Sequence, residues 1–68
     1  MIEIAVKTDN ISLYSYCEDR VDLFKKLRSL RDAYLDYKVE INEYDEEDYE
    51  NRELIYKGIL EEAIEWFR

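Results

Sequence analysis

Apolar and polar positions alternate with a period of two from Ile2 to Lys7: Ile2, Ile4 and Val6 fall on one side, and Glu3, Ala5 and Lys7 on the other. That period predicts a half-buried strand. Asp9-Asn10 follows as a turn, because both residues tolerate positive φ. Read as a two-residue hairpin loop, the pair sets Val6 opposite Leu13, Ile4 opposite Ser15 and Ile2 opposite Cys17, which keeps one face apolar. Tyr14 and Tyr16 then stand on the far face beside Ala5 and Glu3, either as cross-strand packing or as a contact surface.

The period next lengthens. Leu23, Phe24, Leu27, Leu30 and Tyr34 recur at spacings of three and four, with Lys25, Lys26, Arg28 and Ser29 on the other face. This predicts an amphipathic helix from Asp19, its cap, to about Tyr34, with Asp22 completing an imperfect capping box. From Tyr37 the period returns to two, with Tyr37, Val39 and Ile41 against Lys38, Glu40 and Asn42, and the β-branched residues favour a third strand over Tyr37 to Glu43. The competing assignment extends the first helix, since Leu30, Tyr34, Tyr37 and Ile41 also fit a helical spacing.

A second helix is expected from Glu46 or Asp48 to Phe67. Its core stripe would be Tyr49, Ile55, Tyr56, Ile59, Leu60, Ala63, Trp66 and Phe67, with Glu47, Glu50, Glu61 and Glu65 opposite. Acids in its first turn suit the helix dipole. Gly58, the single glycine, marks a close approach of this helix to the sheet. Leu54 and Ile64 flank the stripe and either widen the buried arc or contact a partner. These elements make one α+β domain over residues 1–68, two layers in the order ββαβα, with no linker, no repeat and no low-complexity tract beyond the acid cluster.

At 68 residues the chain is near the lower limit of independent folding and has no room for a separate active-site cleft. Its 47% hydrophobic content and seven tyrosines argue for a folded protein despite the charge. Cys17 is the only cysteine, which excludes an internal disulfide and a cysteine-based zinc cage and fits a cytoplasmic setting. Met1-Ile2-Glu3 has neither the basic nor the apolar region of a signal peptide, and no apolar run approaches a membrane span. The chain has no histidine, so the usual general base and the commonest metal ligand are missing. The acid run does not match a calcium loop and there is no glycine-rich phosphate loop. No catalytic residue, metal or cofactor is expected.

Charge divides the chain in two. From Met1 to Leu35 acids and bases balance, and the whole net charge of −8 lies between Asp36 and Arg68. Glu40, Glu43, Asp45, Glu46, Glu47, Asp48 and Glu50 follow one another with no base among them, and Tyr44 and Tyr49 are set within them. Such a field attracts a basic surface and repels nucleic acid and membrane phosphates. Its charge density is of the order of that along a DNA strand, and tyrosine supplies contact area at low entropic cost.

In composition the chain resembles the small acidic inhibitors that phages make against host nucleases, including anti-CRISPR and anti-restriction proteins that imitate DNA. The resemblance covers no motif and transfers no residue roles. What it implies is the kind of partner, a host protein such as a nuclease; the charge pattern itself assigns Glu40, Glu43, Tyr44, Asp45, Glu46, Glu47, Asp48, Tyr49 and Glu50 to docking on a basic, nucleic-acid-binding surface, and the expected protein is a cytoplasmic, non-enzymatic inhibitor. It would bind no nucleic acid or membrane itself. The alternative is an interaction or regulatory module, joined to a partner or to a second copy as a homodimer, that uses Leu54, Ile64, Trp66, Tyr14 and Tyr16.

Overall fold

The first hairpin forms in the register that the alternation predicts. In the computed structural model, which describes residues 1–68, β1 (Ile2–Lys7) and β2 (Ser12–Cys17) pair antiparallel with Ile2 opposite Cys17 and Val6 opposite Leu13. The turn does not use positive φ, which no residue adopts. Thr8 closes it instead: the Ile11 N–H donates to Thr8 Oγ1 at 3.1 Å, and that hydroxyl donates to the Ile11 carbonyl at 2.6 Å.

Helix α1 (Arg20–Tyr34) starts as expected. The Asp19 side chain accepts the Asp22 N–H at 2.8 Å, and the Asp22 carboxylate reaches back to the Glu18 N–H at 3.2 Å. Leu23 and Leu27 are fully buried, with Leu30 and Tyr34 packed at the core margin. Strand β3 (Lys38–Asp45) follows and pairs antiparallel with β1, setting Val39 opposite Val6 and Ile41 opposite Ile4. The extended-helix alternative is thereby excluded. Tyr37 lies outside the strand and is exposed; its ring meets Tyr34 edge-on at 5.3 Å, covering the end of α1 rather than joining the core.

The α+β class holds, and so does the order of hairpin, helix, third strand and C-terminal helix. The expected long second helix does not form as such. Residues Asp48–Ile59 are a fourth strand, β4, and only Leu60–Trp66 are helical, as α2. The sheet order is β2-β1-β3-β4. The physical reason is the edge of β3, a row of unpaired N–H and C=O groups that a following strand satisfies and a helix does not. The misleading pattern came from a bulge: Tyr56 sits opposite Ile41 and Leu54 opposite Asn42, which leaves Ile55 extra. Ile55 and Tyr56 both pack against the core, producing an apolar doublet like that of a broad helical stripe.

Helix α2 has no side-chain cap. Its first N–H groups are taken up by the loop after α1: Leu60 donates to the Tyr37 carbonyl at 2.9 Å and Glu61 to the Leu35 carbonyl at 3.1 Å. Leu60 and Ala63 are buried, and Ile64 packs at the core margin, but Trp66, expected in the core stripe, is 70% exposed. The two helices cover one face of the sheet, where Ile2, Ile4, Val6, Cys17, Val39 and Ile41 meet Leu23, Leu27, Leu60 and Ala63.

Gly58 serves a side chain and not a helix contact. A Cβ at that position would stand 2.7 Å from Tyr56 Oη and 3.1 Å from its Cζ, because the Tyr56 ring folds back over the glycine. That ring is held by Trp66 and Phe67, with centroids 6.1 Å and 5.8 Å away. Gly58→Ala is expected to lower stability by about 1 kcal/mol in urea denaturation, crowding outweighing the entropy removed from the unfolded chain. In a Tyr56→Ala background the same substitution should become neutral or stabilising. An equal cost in both backgrounds would break this account.

Candidate functional site

The acidic run builds the tip of the β3–β4 hairpin. Asp45 and Asp48 face each other across the strands, leaving Glu46 and Glu47 as a two-residue loop. The Asp45 carboxylate accepts the Glu47 N–H at 3.0 Å, a side-chain closure that needs no glycine, and Asp48 accepts from Asn51 at 2.6 Å. Two acids of the cluster therefore have local structural work. Glu46, Glu47 and Glu50 are exposed and take part in no hydrogen bond of their side chains and no ion pair.

The other sequence-predicted residues are spread along the hairpin. Glu43, at the base of the tip, lies 3.5 Å from Arg20 of α1. Glu40 lies further down the strand, 4.0 Å from Lys7 and opposite Lys57. Both ion pairs are solvent-exposed and worth little energetically, but they offset the charge of these two acids. Tyr44 and Tyr49 come together, their rings edge-to-face at 4.9 Å. The structure thus groups Tyr44, Asp45, Glu46, Glu47, Asp48, Tyr49 and Glu50 at one end of the molecule and sets Glu40 and Glu43 apart.

The hairpin reaches over the sheet face that the helices leave open. Tyr49, expected on the inner stripe of a helix, donates from its phenol to the Glu3 carboxylate at 2.5 Å. Arg52 lies over the ring of Tyr49, its guanidinium 5.0 Å from the centroid. Glu3 is only 2% exposed, although it belongs to the face opposite the hydrophobic core. Register placed it beside Tyr16, and that part of the pattern was readable. Its burial was not, because it depends on a hairpin that the sequence pattern presented as a helix.

The hydrogen bond to Glu3, then burial and the carboxylate's charge, push the Tyr49 phenol up to about 12. The neutral phenol is the donor, so ionising it breaks the contact. The sign of the linkage follows: the folded-state value is raised, so the stabilisation is complete below pH ~10 and is lost as the pH rises through about 12. In an alkaline titration followed by phenolate absorbance, Tyr49→Phe is expected to remove a late step near pH 12. An unchanged titration would mean that the phenol does not meet Glu3 in solution. Tyr44 is raised as well, by burial first and then by Tyr16, Glu3 and Glu46.

Cys17 is buried, and burial followed by the nearby charge of Asp22 pushes its thiol up, away from the reactive thiolate. No group of three or more aspartate, glutamate or cysteine side chains converges in a way that could hold a metal ion. No helix is long and apolar enough to cross a membrane. The arrangement can offer fixed negative charge, aromatic surface and a buried carboxylate. Comparison with protein-family models, with curated proteins and with solved structures finds no match to this chain.

Proposed function

We propose that the chain is a non-enzymatic binding protein that docks the β3–β4 hairpin tip on a basic, nucleic-acid-binding surface of another protein and thereby inhibits it. The observation that carries this reading is the set of carboxylates at the tip, Glu46, Glu47 and Glu50, held by a closed turn and left without countercharge. Acids on one side of a strand recur every ~6.6 Å, and paired strands run ~4.8 Å apart. A two-stranded tip therefore concentrates charge on the scale of a phosphate backbone, which offers a phosphate every ~3.4 Å of axis per strand. Tyr44 and Tyr49 add rigid aromatic area beside those charges. A defence nuclease in the cytoplasm of the producing or infected cell is the kind of target that fits.

The test is capture from lysate by the purified chain, with bound proteins identified and then challenged with double-stranded DNA and with salt. Support would be a basic nucleic-acid-binding protein that DNA displaces and whose binding weakens steeply between ~50 and ~500 mM salt. Salt-independent binding would sink the electrostatic docking. The exposed Trp66 and the unpaired edge of β4 favour a second reading, an interaction module that pairs with itself. Recovery of another copy of the chain alone would favour it.

A further inference from the structure

Glutamate is almost never fully buried unless it is paired. Glu3 is buried, yet its carboxylate accepts a single hydrogen bond, from Tyr49, and belongs to no ion pair. It lines a shallow cavity of about 230 Å³ on the outer face of the sheet, whose walls include Tyr14, Tyr49 and Leu54. Lys7 and Glu40, which also line it, are engaged with each other. Arg52, the other cation of the lining, stacks on Tyr49 and makes no ion pair with Glu3.

We infer that this cavity receives a guanidinium, the side chain of an arginine presented by the protein on which the hairpin tip docks, stacked against the tyrosines and hydrogen-bonded to Glu3. The inference rests on the docking reading above and names the group that the target contributes. Arginine fits better than lysine for three reasons. Its planar head stacks on aromatic faces, its fork of donors matches a carboxylate, and it is more weakly hydrated than an ammonium, so it costs less to bury. Arg52 lies where such a group would stack and competes for it within the unbound chain. The acidic tip beside the cavity draws the same charge toward it.

The experiment is a titration of the full chain with a blocked Gly-Arg-Gly peptide and with its lysine counterpart, following the tyrosine-ring and glutamate-carboxyl NMR signals. The arginine peptide should shift Glu3, Tyr14 and Tyr49 saturably, and the lysine peptide much less. Glu3→Gln, which still accepts from Tyr49, should weaken binding roughly 10-fold or more, the scale of a lost charge-assisted hydrogen bond. Arg52→Ala, an exposed position outside the core, should tighten it several-fold by clearing the ring of Tyr49; this variant keeps the test decisive even if Glu3→Gln fails to fold. Equal shifts by both peptides, shifts confined to Glu46, Glu47 and Glu50, or no tightening in Arg52→Ala would each overturn the inference. The titration needs no target protein, so its failure leaves the hairpin docking standing. Intact arginine binding with no nucleic-acid-binding protein captured would count against the docking alone.

Discussion

Reversal of Glu46, Glu47 and Glu50 to lysine is expected to cut affinity for the captured target by roughly 100-fold or more, since close charge pairs across an interface couple by a few kcal/mol and like charges repel. The fold should be nearly untouched. These three side chains are exposed and make no hydrogen bond or ion pair, so the melting temperature should move by less than about 4 °C. Asp45 and Asp48 are left alone because they close the turn and hold Asn51. The informative control reverses Asp32, Asp36 and Glu65, away from the tip, which alters net charge equally. Those residues are exposed, and the one ion pair among them, Glu65 with Arg68 at 3.3 Å, is a surface pair of little worth. Calorimetric titration should show a far smaller loss for the control. Equal losses would mean that only net charge matters and that the tip is no specific contact.

Ile41→Ala should cost about 3 to 4 kcal/mol, because it empties a site that is fully buried at the middle of the sheet, between Ile4 on β1 and Tyr56 on β4. For a chain of this length the total stability is on the order of 3 to 10 kcal/mol, so one substitution removes a large share of it. Urea denaturation should show the midpoint falling sharply. Leu54→Ala, at an apolar position 51% exposed on the other face, should change stability by less than about 1 kcal/mol. A loss at Leu54 equal to that at Ile41 would mean that the buried layer is not the one between sheet and helices.

What could be read from local pattern was the part in which one period governs one element. Ile2, Ile4 and Val6 alternate cleanly, and with the Asp9-Asn10 turn they set the register of the first hairpin to the residue. Leu23 and Leu27 mark the buried stripe of α1, and Asp19 with Asp22 marks its start. Val39 and Ile41 identify β3. Each of these signals is carried by residues close together in the chain, where backbone geometry dictates which side chains share a face.

The second half resisted the same treatment for an identifiable reason. Register shifts between Ile41 and Asn42 and between Glu43 and Asp45 interrupt the alternation of β4, so its apolar residues match neither period well. The start of α2 carries no capping residue, because its N–H groups are satisfied by Leu35 and Tyr37 across the fold.

Local pattern was enough to establish the α+β class, the first four elements (β1, β2, α1 and β3) and the core faces of each, and the concentration of negative charge between Glu43 and Glu50. Contacts between distant segments put this charge on a hairpin tip and not on a helix, offset Glu43 and Glu40 with Arg20 and Lys7, and bring Tyr49 to Glu3 from 46 residues away. The physical reason is the open edge of β3: its unpaired backbone groups recruit residues 48–59 as a strand. That long-range demand outweighs the local preference that acids and apolar doublets express for a helix.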